Sequence, residues 1–208
     1  MLTWAEETGW NIMTALGSVW CFACGLLLAI ALSLTVFYAN REWFGTTAAL
    51  VALTLIVFEP NTLAHSGLVT TDVGATLFFL AAVYGFWRYV IVPSWMRLGI
   101  AGITFGLLLA TKHSGVLLGT MLLALVIGEI AAGPRGARTE KLVRLGGGLA
   151  MMVLIAVAVL WSFYGFRYSA RPSGLQLNPS LDDYCQYLSG AGHTVILTMA
   201  HMRLLPES

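Results

Sequence analysis

Charged residues are scarce in this chain. Of its 208 residues, 11 are Lys or Arg and 10 are Asp or Glu, whereas 58% are hydrophobic and the mean hydropathy is +0.81. Soluble globular domains carry about 25% charged residues, so the composition excludes that class and indicates an integral membrane protein. The net charge of +1 leaves no basic stripe that could neutralise a row of phosphates, which excludes a nucleic-acid partner.

Cysteine is also rare, with three residues in the whole chain. Cys21 and Cys24 form a C-x-x-C pair inside an apolar run, where thiolates are not easily charged, so helix packing is favoured over a redox site. Cys185 stands alone in a polar C-terminal segment and has no obvious disulfide partner.

A recognisable metal-ligand pattern is absent too. The acidic and histidine residues of the C-terminal segment do not have the spacing of metal ligands that a rigid backbone holds together. These residues are Asp182, Asp183, His193 and His201. The sequence therefore implies no metal site and no cofactor, and it leaves a divalent metal open as an alternative.

Long apolar runs dominate what is present. A helix needs about 20 apolar residues to cross the hydrocarbon core, and fewer suffice inside a protein bundle. The runs predict spans over 15–38, 44–58, 72–89, 98–111, 114–130 and 145–166. We therefore expect an all-α integral membrane protein, a bundle of about six transmembrane helices between an N-terminal polar segment at 1–14 and a polar extracytoplasmic tail at 167–208.

The apolar stretch 98–130 is interrupted at Lys112. One helix of this length would place an ammonium group in its middle, which is costly in a membrane. Two short helices with a turn at Lys112 fit better. Seven of the other ten Lys and Arg residues then fall in loops on the cytoplasmic side, as membrane proteins favour: Arg41, Arg88, Arg97, Arg135, Arg138, Lys141 and Arg144.

A polar island lies between the second and third apolar runs, from Glu59 to Asp72. It contains two carboxylates, the Asn61 amide and the His65 imidazole within 14 residues. The orientation above puts this island, the Lys112 turn and the tail on the same, extracytoplasmic face. Polar side chains at that depth in a membrane cost free energy and are usually present because they have a function. The island is therefore the leading candidate for a functional site.

The island also carries a resemblance. The stretch 60–72, with the following span that ends in Phe86-Trp87-Arg88-Tyr89, resembles the bacterial branch of the dolichyl-phosphate-mannose protein mannosyltransferase family. This family belongs to the GT-C membrane glycosyltransferases, which include the aminoarabinose transferases of lipid A. Residues 106–115 and 203–208 are similar to two further family segments, so the resemblance covers about residues 15–208.

The resemblance implies an enzyme of the bacterial inner membrane whose site faces the periplasm. Such enzymes transfer a sugar, with inversion, from a polyprenyl-phosphate donor to a protein or lipid acceptor. The chemistry needs a carboxylate base and cations that hold the departing lipid phosphate. The implied catalytic residues are Asp72, in a supporting role, and Glu7, and the implied substrate-binding residues are Glu59, Asn61, His65 and Lys112.

The chain departs from the family pattern at three places. The family has its principal carboxylate in the first extracytoplasmic loop, after a helix that would precede residue 15, where this chain offers Glu6 and Glu7. Gly67 stands where the family commonly has an arginine. The chain also stops where the family continues into a periplasmic portion and further spans, so we expect a fragment of a longer enzyme. Because the first-loop carboxylate of the family is not clearly matched, this chain alone could be inactive.

The residues themselves leave structural alternatives open. Asp72 suits a helix cap as well as a site, and Glu59 and Asn61 flanking Pro60 suit a helix terminator. His65 could simply solvate the loop. Lys112 could meet a lipid phosphate, form an ion pair with Asp72 or Glu59, or snorkel to the interface. A multi-span transporter or flippase and a noncatalytic membrane subunit remain the alternative functions.

Overall fold

A computed structural model describes residues 4–66, 71–132 and 138–167, together with Thr198 and Met202. Every regular element within these ranges is helical, which confirms the predicted all-α membrane class. The α-helices are α1 (Trp4–Phe44), α2 (Thr46–Val57), α3 (Pro60–Ser66), α4 (Thr71–Ile91), α5 (Trp95–Thr111), α6 (Val116–Ala132), α7 (Arg138–Lys141) and α8 (Gly147–Phe163). A 3₁₀ turn (His113–Gly115) precedes α6, and a π-helical segment (Leu142–Gly146) precedes α8.

Four helical segments are long and apolar enough to cross a membrane: Gly17–Phe44, Thr71–Ile91, His113–Ala131 and Arg138–Phe163. Helices α2 and α3 meet at a bend of 59° and together make a fifth candidate, either a broken span or a re-entrant loop. Helix α5 is apolar but has 17 residues. The described part of the chain therefore supports four or five spans, and the predicted count of six is not confirmed.

The chain separates into two compact units, residues 1–156 and 157–208. In the second unit, the structure describes the end of α8, a turn that reaches Arg167, and the residues Thr198 and Met202. Gly165 and Phe166 have φ values of 59° and 58° in that turn, a left-handed conformation that ends helices. The predicted division at residues 15 and 167 stays a prediction.

The first unit has two apolar clusters. One joins α4, α5, α6 and α8 through side chains that include Phe86, Phe105, Leu118 and Met152. The other joins α1 to α4 and contains Ala29, Leu32, Val73 and Leu77. Among the described residues no polar or charged side chain is buried, as expected for helices that face lipid and each other.

Two glycines allow the helices of the first unit to approach closely. A Cβ atom at Gly85 of α4 would lie 3.2 Å from the Ala101 Cα of α5. A Cβ atom at Gly102 would lie 2.7 Å from the Ile155 Cβ of α8. Small residues at such crossings are typical of membrane helices, and here they fix α5 between α4 and α8.

Helix α4 links two polar edges of the first unit. Asp72 lies in its first turn and Arg88 in its last. The two are 16 residues apart in sequence, which corresponds to about 24 Å at 1.5 Å per residue. We call these ends the Asp72 edge, where Lys112 also lies, and the Arg88 edge, where Glu42 and Arg144 also lie.

Candidate functional site

The site at the Asp72 edge begins with a break between α5 and α6. Helix α5 ends at Thr111, and Lys112 adopts an extended conformation with φ −152° and ψ 126°. The Lys112 N–H donates to the Leu108 carbonyl, and the Lys112 carbonyl accepts from the Gly115 N–H, each at 2.9 Å. The break therefore keeps its backbone hydrogen bonds while it turns the lysine away from the helix axis.

The Lys112 side chain forms an ion pair with Asp72. Its Nζ atom donates to Asp72 Oδ1 at 2.8 Å. The two side chains are 50% and 49% exposed, so an ammonium with three N–H donors keeps protons for another partner. Of the alternatives for Lys112, the structure shows the ion pair with Asp72.

His65 belongs to the same electrostatic environment. It lies in the last turn of α3 and is close enough to the Asp72 carboxylate to interact with it electrostatically. The Asp72 carboxylate thus interacts with both Lys112 and His65.

Glu59 and Asn61 have a structural role that the geometry shows directly. The Glu59 carboxylate accepts a hydrogen bond from Asn61 Nδ2 at 2.8 Å and another from the Thr62 backbone N–H. The Glu59 carbonyl accepts from the Leu63 N–H at 3.1 Å. Glu59 is therefore the N-cap of α3, with Pro60 at the first helical position, where proline is favoured.

A small polar pocket connects these side chains. It has a volume of about 220 Å³, and its polar lining consists of Glu59, Asn61, Thr62, His65, Asp72 and Thr76. The structure thus brings together four of the predicted site residues, and the ion pair adds Lys112 to Asp72. The predicted base Glu7 lies on α1, where side chains are described from residue 17 onward, and Gly67 falls outside the described residues.

A larger apolar groove begins beside the polar pocket. It has a volume of about 500 Å³ and includes Val36, Ile56, Phe79, Leu80 and Leu117 in its lining. Leu32 and Thr76 line both cavities. A polar head group at the Asp72 edge and an apolar chain in the groove could therefore belong to one molecule.

Sequence reasoning missed three parts of this arrangement. Helix α3 was not predicted, although Glu59-Pro60 followed by Thr62 is the signature of a capped helix start. Thr76 is one turn after Asp72 and could have been found from helical spacing. The groove could not, because it depends on how α1 and α2 pack against α4.

The described residues contain no group of three His, Cys, Asp or Glu side chains that could hold a metal ion. Asp182, Asp183, His193 and His201 lie outside the described residues. The chemistry available at the Asp72 edge is therefore that of an oriented ammonium, an imidazole and two hydrogen-bonded carboxylates. This set can bind a phosphate and move a proton.

Comparison with known proteins identifies the family. The family model for dolichyl-phosphate-mannose-protein mannosyltransferases matches residues 1–161. The match begins before the resemblance predicted from residue 15 onward and ends before the segment 203–208. No curated protein and no solved structure matches the chain. Since the family model covers most of the 208 residues, the chain belongs to the dolichyl-phosphate-mannose-protein mannosyltransferase family, a family of membrane glycosyltransferases.

Proposed function

We propose that the chain uses its Asp72 edge to transfer a mannose-like hexose from a polyprenyl-phosphate donor to a protein or lipid acceptor. The observation that carries this proposal is the Lys112–Asp72 ion pair, 2.8 Å long and half exposed, beside a polar pocket that opens into an apolar groove. Family membership supports the class of reaction.

Lys112 holds the phosphate of the donor. In the transfer, the acceptor oxygen forms a bond to the anomeric carbon while the bond from that carbon to the phosphate oxygen breaks. The lipid phosphate leaves with additional negative charge, and a preorganised cation stabilises that charge. The N–H groups of Lys112 that Asp72 does not use are available for this contact.

Asp72 is a positioning residue in this proposal. Its carboxylate fixes the direction of the Lys112 ammonium before the donor arrives, which reduces the entropy lost on binding. His65 contacts the phosphate or the acceptor from the other side of Asp72. The acceptor proton goes to a carboxylate. Glu7, the base that the sequence predicts, precedes the pocket residue Leu32 by 25 residues on the continuous helix α1, about 38 Å along its axis. The pocket carboxylates Asp72 and Glu59 are therefore the nearer proton acceptors.

The apolar groove takes the first part of the polyprenyl chain. It shares Leu32 and Thr76 with the pocket and is lined by residues of α1, α2 and α4, which belong to candidate membrane spans. A lipid-linked donor can then keep its chain in hydrocarbon while its phosphate reaches the Asp72 edge. A water-soluble nucleotide sugar has no group that needs such a groove.

We place the Asp72 edge on the extracytoplasmic side. The Arg88 edge carries Arg88 in the last turn of α4, Arg97 in the first turn of α5 and Arg41 at the end of α1, followed by Arg138, Lys141 and Arg144 before α8. Lys and Arg favour the cytoplasmic side of short loops. This distribution supports an Arg88 edge in the cytoplasm and a transfer site on the opposite face of the membrane.

The test is sugar transfer by membranes that contain the full chain or its Lys112→Gln variant. The probe is polyprenyl-phosphate mannose with a radioactive sugar, and the readout is label recovered in the protein and lipid fractions. We expect Lys112→Gln to lower the initial rate by about 100-fold, as loss of one oriented group does at other transfer sites. Lys141→Gln is the matched control, because Lys141 is also an ion-paired cation, 2.6 Å from Glu129, at the other edge.

Wild-type transfer by Lys112→Gln would show that the Asp72 edge is not the donor site. Label that appears across the membrane on an intact donor would instead favour a flippase. Equal loss in Lys112→Gln and Lys141→Gln would indicate general damage to the fold, and it too would count against a specific role for Lys112.

A further inference from the structure

A second groove lies at the Arg88 edge, between α1, α4 and α5. It has a volume of about 370 Å³. Its polar lining includes Glu42, Tyr84, Arg88 and Arg97, and its apolar lining includes Leu34 and Ile100. The groove is at the other end of α4 from Asp72 and takes no part in the proposed transfer.

The charges in this groove do not cancel. Arg88 Nε lies 3.6 Å from Glu42 Oε2, and the two side chains are 42% and 39% exposed. The Arg97 guanidinium donates through Nη1 to the Arg88 and Val92 carbonyls, at 3.0 and 3.2 Å, where α4 ends. Among the described residues no carboxylate is within ion-pair distance of Arg97, so the groove keeps a net positive charge.

Aromatic rings mark the depth of this groove in the membrane. The Trp87 ring stacks on Tyr84, with centroids 6.1 Å apart, and meets Trp43 edge-on at 5.7 Å. Arg88 lies over the Tyr84 ring at 5.7 Å. Tryptophan and tyrosine collect at the level of lipid head groups, so the two guanidinium groups lie where lipid phosphates are found.

The other end of the groove faces hydrocarbon. Leu34 and Ile100 are 49% and 48% exposed, and Gly85 also lines the groove. A molecule that fills this groove must therefore join an anionic group to an apolar chain.

We propose that this groove binds one anionic phospholipid of the surrounding bilayer. Its phosphate contacts Arg88 and Arg97 with charge-assisted hydrogen bonds, which are stronger than neutral ones. One acyl chain lies against Leu34 and Ile100. Because the groove joins α1 to α4 and α5, the bound lipid holds the first helix against the rest of its unit.

Native mass spectrometry tests this proposal. The full chain is purified in detergent and titrated with phosphatidylglycerol, and the spectra show how many lipid molecules it retains. We expect one phosphatidylglycerol to bind the wild type about tenfold more tightly than phosphatidylcholine, because the choline cation offsets the phosphate charge that the positively charged groove attracts. Arg97→Gln should remove that preference. Arg41→Gln is the matched control, since Arg41 is on the last turn of α1 but does not line the groove.

Two further variants keep the result independent of folding. Glu42→Gln removes the carboxylate that competes for Arg88, so it should strengthen phosphatidylglycerol binding. Ile100→Trp fills the apolar end and should weaken it with every charge in place. Equal binding of both lipids by the wild type, unchanged binding in Arg97→Gln, or full displacement by inorganic phosphate at millimolar concentration would each overturn the proposal.

Discussion

At the residue scale, the contact between Asp72 and Lys112 connects side chains that are 40 positions apart in the sequence. A half-exposed pair of this kind adds little to stability, because solvent screens it and the side chains lose entropy when they pair. In the proposed function, its value is in the direction that it gives to the ammonium. The pair should therefore affect catalysis much more than folding.

Asp72→Leu separates these two effects, because leucine is close in size to aspartate and offers the ammonium no acceptor. The substitution removes an anion that competes with the donor phosphate for Lys112, so the affinity for polyprenyl phosphate should stay the same or rise. The transfer rate at saturating donor should fall by about tenfold or more, because the ammonium is no longer held in position. Steady-state kinetics with polyprenyl-phosphate mannose measure both quantities. A fall in affinity with an unchanged maximal rate would contradict the positioning role.

Glu59→Gln tests the role of the α3 cap. The amide oxygen can still accept from the Thr62 backbone N–H, the capping contact, although the bond from Asn61 to the other oxygen is lost. We therefore expect nearly wild-type transfer, whereas Glu59→Leu removes the acceptor and should unwind α3 and displace His65. Amide hydrogen exchange of residues 60–66 and the transfer assay report the two outcomes. A large loss of transfer in Glu59→Gln with protected α3 amides would assign the carboxylate a direct role instead.

At the scale of elements, the crossing of α5 and α8 depends on the absence of a side chain at Gly102. Alanine there would bring its Cβ to 2.7 Å from the Ile155 Cβ, and overpacking of this kind costs about 1–3 kcal/mol. Gly99 on the same helix has open space around it. Gly99→Ala should be neutral or stabilise the helix by up to about 1 kcal/mol.

Thermal unfolding in detergent, followed by circular dichroism, measures this difference. The double variant Gly102→Ala with Ile155→Ala should recover part of the loss, because it restores the space. Equal melting temperatures for Gly102→Ala and Gly99→Ala would mean that α5 and α8 do not cross closely at this point.

The sequence predicted some elements well because their causes are local. An ammonium group within an apolar stretch costs free energy whichever helices surround that stretch. Lys112 therefore indicated a turn, and α5 does end at Thr111. The distance from Lys112 to Asp72 has no such local cause. It depends on the approach of α4 and α5 at Gly85 and Ala101, which becomes known only when both helices are in place.

At the scale of the whole molecule, the two polar edges predict opposite accessibility to reagents that cannot cross membranes. Ser66 lies at the end of α3 on the Asp72 edge, and Ser94 lies between α4 and α5 on the Arg88 edge. In a background without Cys21, Cys24 and Cys185, we expect an impermeant maleimide to label Ser66→Cys in intact cells. Ser94→Cys should react only after permeabilisation. The reverse pattern would place the transfer site in the cytoplasm.

The short length of α5 has a consequence for the lipid around the protein. Its 17 residues measure about 26 Å, against about 30 Å for the hydrocarbon core. A helix shorter than the bilayer is accommodated partly by local thinning. Lipid head groups should therefore lie deeper in the membrane beside Lys112 than elsewhere. A lipid-linked donor then moves a shorter distance out of the hydrocarbon to reach Lys112. Bilayers with shorter acyl chains should therefore favour binding of the donor.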